Sequence, residues 1–326
     1  VGRHAVEGLI EERSNNGLYT SVYDLVERVN LNALNKKSLE AMALAGALDC
    51  FSDLNRSQYF AEDNKGIPFL ENLVRYGNML KSENSTSQQS LFGDADGFEV
   101  VKPLPPETPE WPKLEKLTRE KEVVGIFLSA HPLDDFRLEI KTFCNASINE
   151  LHNLKDLFNR EVTVAGMVTE ARNGTTKNGK PYGSLTLQDY TDSYRFMLFD
   201  KDYVNNSKYC NPGYFLMVRS KVRKKMYRED ELEVKINNIH LLTSVKDELI
   251  RSITVIIPID RVNNELINDI KGMALKNKGK TELKVVVADP VEKISVSLFS
   301  RSLKLDLNNE FMDYIEAIPG IEFKVN

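Results

Sequence analysis

Cysteine and histidine are scarce in this 326-residue chain, and their spacing removes several classes of chemistry. Cys50, Cys144 and Cys210 are odd in number and far apart, so they make neither a disulfide framework nor a Cys-x-x-Cys metal site. His4, His131, His152 and His240 are isolated, with no serine, cysteine or ligand cluster spaced about them. His131 stands before Pro132 and reads as a structural cap. The close carboxylate pairs, Asp134 with Asp135 and Asp200 with Asp202, lie beside turns or surface helices, where solvated charge is the better reading than Mg²⁺ ligation. No apolar run approaches the length of a membrane span and no signal-peptide pattern is present, so a soluble, cytoplasmic protein without membrane contact is expected. The first residue is Val, and the immediate entry into a helical pattern reads as a piece of a longer protein.

What is present begins with charge that is unevenly spread. The net charge is −5, which by itself argues against a nucleic-acid partner. Residues 161–242 nevertheless hold 13 Lys and Arg against 10 Asp and Glu, whereas residues 1–160 hold 18 against 25 and residues 251–326 hold 11 against 11. The positive excess is local. In that same stretch, 162–169, 183–188, 194–199, 214–222 and 232–239 alternate or are rich in β-branched residues, which predicts five strands, and 201–208 reads as a helix between the third and fourth. This order is that of an OB-fold barrel, which binds oligonucleotides across strands two and three and with the loops after strands one and four. Arg172, Lys177 and Lys180 lie in the first of those loops; Arg223, Lys224, Lys225 and Arg228 lie in the second. Tyr182, Tyr194, Phe196 and Tyr227 are the rings available to stack on bases while the cations follow the phosphates. The plainer reading makes the basic loops solvated turns and Phe196 a core residue.

The flanking regions are of a different kind. Residues 1–81 read as a helix-hairpin-helix region: Gly2 and Arg3 precede one helix, Gly46 marks a second turn, and a helix N-terminus offers its N–H groups to phosphate. A small helical bundle with glycine caps is the alternative. Residues 82–112 form a polar linker ending in a proline-rich spacer, and its single apolar pair, Leu91–Phe92, suits a peptide that docks in another protein's pocket or an anchor into its own domain. Residues 113–160 are a helical connector, with one helix over 111–128. Residues 251–326 run β-α-β-β-α-β, the split βαβ plan, are charge-neutral and lack a phosphate loop, which favours protein contact. The whole is a multidomain α+β chain.

Several of these stretches together resemble the C-terminal portion of the alpha subunit of bacterial DNA polymerase III. They are Gly2-x-x-Ala5, Asn35-Lys-Lys-Ser-Leu-Glu40, Ala45-Gly-Ala-Leu-Asp49, Gln88-Gln-Ser-Leu-Phe92, the run from Glu120 to Ala130-His-Pro-Leu133, and Val164-Ala-Gly-Met-Val168. The resemblance implies four roles. The helix-hairpin-helix region, through Gly2, Arg3 and Gly46, would hold duplex backbone. Gln88, Ser90, Leu91 and Phe92 would be the sliding-clamp peptide, the barrel would touch single-stranded template, and the C-terminal domain would bind the clamp-loader tau subunit. The parent would be a DNA-directed DNA polymerase, a nucleotidyltransferase, whose Mg²⁺-binding palm lies upstream. The present chain would then have no catalytic residue, metal or cofactor of its own. A free-standing OB-fold module or a protein scaffold are the competing readings.

Overall fold

The computed structural model describes residues 1–87, 100–225, 228–289 and 291–326. It divides into two compact units, Val1–His131 and Pro132–Asn326. The residues read as one connector are thus shared between them: 113–131 fold with the first unit and 132–160 with the second.

The first unit is helical: α1 (Arg3–Asn16), α2 (Val22–Arg28), α3 (Lys36–Leu44), α4 (Arg56–Phe60), α5 (Phe69–Ser87) and α6 (Lys113–Val124). Their starts are set by side-chain caps. Ser21, Asn35 and Asn55 accept the N–H groups of Asp24, Ser38 and Gln58, and Asn55 with Gln58 completes a capping box. Leu25, Val26, Leu39, Ala43, Phe69 and Leu73 close the core. Gly77 lets α5 approach α2, since a Cβ there would lie 2.7 Å from the Val26 carbonyl oxygen. Helix α6 ends earlier than the expected residue 128. Gly125 takes the left-handed conformation (φ 91°) and its N–H caps the Lys121 carbonyl at 2.7 Å.

A buried ion pair fastens the loop that follows. Glu120 is fully buried and accepts the N–H groups of Leu128 and, at 2.6 Å, Ser129. Its other oxygen takes Arg56 Nη1 at 3.3 Å. Arg56 Nη2 also donates to Asp49 at 2.7 Å. Burial works to raise the Glu120 carboxyl, yet hydrogen bonds from Ser129, Leu128 and Arg56 outweigh it and hold the group below its usual range. Removing one partner of such a pair costs about 3–5 kcal/mol.

The second unit opens with a 3-10 turn, Pro132–Phe136, and α7 (Arg137–Phe143), a helix the sequence patterns did not resolve within the connector. Then come β1 (Glu161–Thr175), β2 (Pro181–Gln188), β3 (Ser193–Phe199), α8 (Lys201–Asn206), β4 (Phe215–Lys225), β5 (Arg228–Leu241) and α9 (Leu242–Leu249). The five strands and the helix after the third follow the expected order. They form one antiparallel sheet, β3-β2-β1-β4-β5, with Val164, Val168, Leu185, Leu187, Leu198 and Val218 inside. A closed barrel is not formed: among the described residues β3 and β5 are edges with no pairing between them. Helix α8 fills that gap. Tyr203 lies over Gly183 of β2, where a Cβ would sit 2.3 Å from its ring, and Asp202 is ion-paired with Lys235 of β5.

The rest of the unit is β6 (Ser252–Pro258), α10 (Asn264–Lys276), β7 (Lys278–Asp289), β8 (Ile294–Leu305), α11 (Asn309–Ala317) and β9 (Glu322–Val325). The sheet order is β8-β7-β6-β9. The expected β-α-β-β-α-β order of elements is present, but the βαβ unit is not split. β6 and β7 pair directly and in parallel, from Ser252 with Glu282 to Pro258 with Ala288. The physical reason lies in burial. Ile253, Val255 and Ile257 of β6 are buried and suit the sheet centre, whereas β8 is exposed along 294–299 and takes the edge. Chain order alone is the same for both arrangements. Leu138 of α7 joins this second core with Ile270, Phe311 and Ile315.

Candidate nucleic-acid interface

The outer face of the first sheet has two halves. At the end where Ala165 pairs with Met217, it is covered by Leu133, Leu242 and Val245. A bulge then interrupts β1 between Val168 and Glu170, and Thr169 Oγ1 donates to the Thr186 carbonyl at 3.3 Å. One extra residue reverses the alternation, so Ala171 packs inward while Glu170 and Arg172 turn outward. They align with Thr186 and Ser184 of β2, which pair with Arg195 and Met197 of β3. Tyr182 and Phe199, also paired, finish the row. This half is bare: Met197 is 44% and Phe199 53% exposed.

Two aromatic rings meet there. Tyr182 and Phe199 stack with centroids 6.2 Å apart and planes 28° apart. Gly174 allows this, because a Cβ on it would come within 2.9 Å of the Tyr182 ring. Phe199 is presented by a strained junction, since Asp200 has φ 50° and is held by Lys180 Nζ at 2.7 Å and by its N–H on the Pro181 carbonyl. The Lys180 hydrogen bond keeps the Asp200 carboxyl below its usual range. Two arginines stand further along the same face, Arg172 one register row and Arg195 two rows from the rings. Arg172 and Arg195 both approach Glu170 Oε2, at 3.5 and 3.3 Å.

Of the residues read as candidates, Arg172, Lys180 and Tyr182 come together on or beside this face, and Lys177 is exposed in the turn between β1 and β2. Phe196 does not. It is 2% exposed in the core, with no ring face open to a base. Tyr194 is half-buried, edge-on to Phe196 at 5.0 Å and to His152 at 5.8 Å, and burial raises its phenol pKa. Arg223 and Lys225 on β4 pair with Glu233 and Glu231 at 2.8 and 2.5 Å, and Lys224 is exposed. Tyr227 lies outside the described residues, as does the Arg228 side chain. Arg195, Met197 and Phe199 were missed by the sequence reading. Strand alternation carried the signal: Arg195 beside Phe196 faces water, so Phe196 faces the core and Met197 and Phe199 follow Arg195.

Three family models match separate parts of the chain. The model described as DNA polymerase III alpha subunit, C-terminal domain, matches residues 253–326; a helix-hairpin-helix motif matches 1–59, and an OB-fold nucleic acid binding domain 162–242. Among curated relatives, DNA polymerase III subunit alpha of Saccharopolyspora erythraea is 26% identical over 302 residues, 89% of this chain and 24% of that protein. The Bacillus subtilis subunit is 26% identical over 281 residues, 86% of this chain and 24% of that protein. The Xylella fastidiosa subunit is 35% identical over 150 residues, 46% and 12%.

The chain matches the C-terminal portion of DNA polymerase III alpha subunits.

It spans no more than about a quarter of the length of these relatives. The alpha-subunit clamp peptide expected at Gln88, Ser90, Leu91 and Phe92 lies outside the described residues. Gly2 caps α1 without a side-chain bond, and Arg3 is exposed and paired with Glu7 at 2.7 Å. Gly46 is a turn glycine (φ 80°) whose N–H donates to the Ala43 carbonyl, while the N–H groups of Ala47 and Asp49 donate to Met42 and Gly46. Those donors are already engaged, and Arg56 Nη2 lies 2.1 Å from the position a Cβ on Gly46 would take. Of the close carboxylate pairs, Asp200 and Asp202 are each held by a lysine, Lys180 and Lys235. Among the described residues no helix is long and apolar enough to cross a membrane.

Proposed function

We propose that this chain is the DNA-binding and processivity portion of a cytoplasmic replicative DNA polymerase, with the bare half of the first sheet as its contact for single-stranded template. The observation that carries this reading is that the stacked Tyr182–Phe199 pair shares the bare half of that face with Arg172 and Arg195. Rings of this kind accept successive bases irrespective of sequence, and the guanidinium groups follow the backbone. Lys177, Lys180, Arg223, Lys224 and Lys225 extend the cationic path along the two loops, with Tyr194 as a peripheral ring, and Tyr227 and Arg228 keep the contact roles read from the sequence. Phe199 takes the stacking role first read for Phe196.

In this reading the open N-terminal end of α1, with Gly2 and Arg3, meets duplex phosphate, and Gly46 shapes the second turn. Gln88, Ser90, Leu91 and Phe92 bind the sliding clamp. The C-terminal domain binds the clamp-loader tau subunit, a role supported by the apolar, exposed edge strand β8 with Ile294, Val296 and Leu298. The chain supplies no catalytic residue, metal or cofactor; nucleotidyl transfer with Mg²⁺ belongs to the palm of the full subunit. Weak contacts of several kinds then act by raising the local concentration of that site on DNA.

Fluorescence anisotropy of a labelled single-stranded oligonucleotide, titrated across a salt series with duplex as control, tests the template contact. Binding is expected to prefer single strands. When Arg223, Lys224, Lys225 and Arg228 become alanine, the logarithmic salt slope should shrink by about 0.7 for each phosphate no longer neutralised. Equal binding by that variant, or none by either protein, overturns the reading.

A further inference from the structure

Glu170 is out of place on a surface that receives DNA. It stands where the bare half begins, aimed outward by the bulge at Thr169, with half of its side chain exposed and one oxygen between the guanidinium groups of Arg172 and Arg195. Those two arginines come from different strands, β1 and β3, and β2 runs between them. A carboxylate oxygen set between two guanidinium groups carries the single negative charge and offers the acceptor that a backbone phosphate oxygen would present to the same pair.

We propose that Glu170 is a built-in phosphate mimic that competes with the DNA backbone for Arg172 and Arg195. The position of its carboxylate marks where a phosphate sits in the complex, with bases further along the strand over Tyr182 and Phe199, two register rows away. This rests on the reading of the face as a single-strand contact. In the free protein both guanidinium groups are occupied, which keeps stray anions away. On binding, the strand must displace Glu170 and leave its charge uncompensated. The contact is therefore weak and quickly reversed. A polymerase tail that must release one template nucleotide for each one copied needs such a contact.

The test is a double-mutant cycle in the full chain, read by oligonucleotide anisotropy over a salt series. Glu170→Gln should tighten single-strand binding by about two- to fivefold, the scale of one or two exposed ion pairs. It should also steepen the salt slope by up to about 0.7 for each arginine released from Glu170. In a background of Arg172→Ala with Arg195→Ala, Glu170→Gln should change nothing. The control Glu161→Gln, an exposed carboxylate at the far end of β1, should leave affinity within experimental error. If Glu170→Gln matches the wild type while both bind, the mimic is overturned and the binding face stands. If Glu161→Gln tightens binding equally, or if the effect of Glu170→Gln survives removal of both arginines, general charge repulsion replaces the mimic. If neither wild type nor Glu170→Gln binds, the face itself is refuted.

Discussion

The two sheets of the second unit each leave an apolar surface in water, and the two surfaces differ in kind. On the first sheet the exposed groups are rings and a thioether, Tyr182, Phe199 and Met197, set among Arg172, Arg195 and Glu170. On the second, alternate residues of the edge strand β8 make an aliphatic row, Ile294, Val296 and Leu298, each more than half exposed, and Phe299, with Lys284 Nζ 5.7 Å from its ring centroid, stands outside that row. A flat ring beside a guanidinium group suits a base and its phosphate. A row of branched side chains along an edge with unpaired backbone groups suits another polypeptide. Exposure alone therefore does not name a partner; the chemistry beside it does.

The strongest way to break this contrast is to exchange core and surface rings of one strand. Phe196→Ala should cost about 3–5 kcal/mol of stability, seen as an early unfolding transition in denaturant. Phe199→Ala, three residues on, should leave that transition almost unmoved and weaken single-strand binding by about 1–3 kcal/mol in the anisotropy titration. If Phe199→Ala unfolds the sheet or binds DNA normally, the ring pair is structural. On the other sheet, Leu298→Asp should weaken binding of the purified tau subunit by about 1–2 kcal/mol in calorimetry, with DNA affinity untouched. A fall in DNA binding instead would erase the distinction between the two surfaces.

The smallest effect concerns the joint between the sheets. Helix α7 sends Leu138 into the second core and Ile140 against the cover of the first, and Glu139 between them is 7% exposed. Burial raises its carboxyl above the ordinary value of 4.5. A raised carboxyl pKa means that the folded state prefers the proton: this contribution to stability is full below the unfolded pKa and is lost as pH rises through the folded one. Glu139→Gln should therefore raise the Tm modestly at pH 7, and the gain should vanish below about pH 4.5. A gain that persists in acid would point to packing rather than charge.

Much of this was legible in the residues. The β-branched alternation of 162–169 and 194–199 placed strands where they are, and Asn35 and the 46–49 turn marked helix ends. What escaped depends on events that periodicity does not record. A single inserted residue at Thr169 changes which side chains share a face with Arg195. The pairing of β6 with β7 leaves chain order unchanged and follows from which strand can be buried. The sheet stays open between β3 and β5, with Tyr203 and Asp202 occupying the gap through contacts between elements distant in sequence. For the site, charge and loop position found Arg172, Lys180 and Tyr182, but choosing Phe196 over Phe199 ignored that its neighbour Arg195 had already fixed the parity.

The anchoring of Arg56 has a mechanical consequence. Its guanidinium group occupies the side-chain space beside Gly46 and grips Glu120, which in turn holds the backbone of Leu128 and Ser129. The hairpin turn and the strap leaving α6 are thus joined in series through two side chains, Arg56 and Glu120, both held in place by burial and charged bonds. Tension applied to that strap is transmitted to the turn at Gly46 and not absorbed by the loop between.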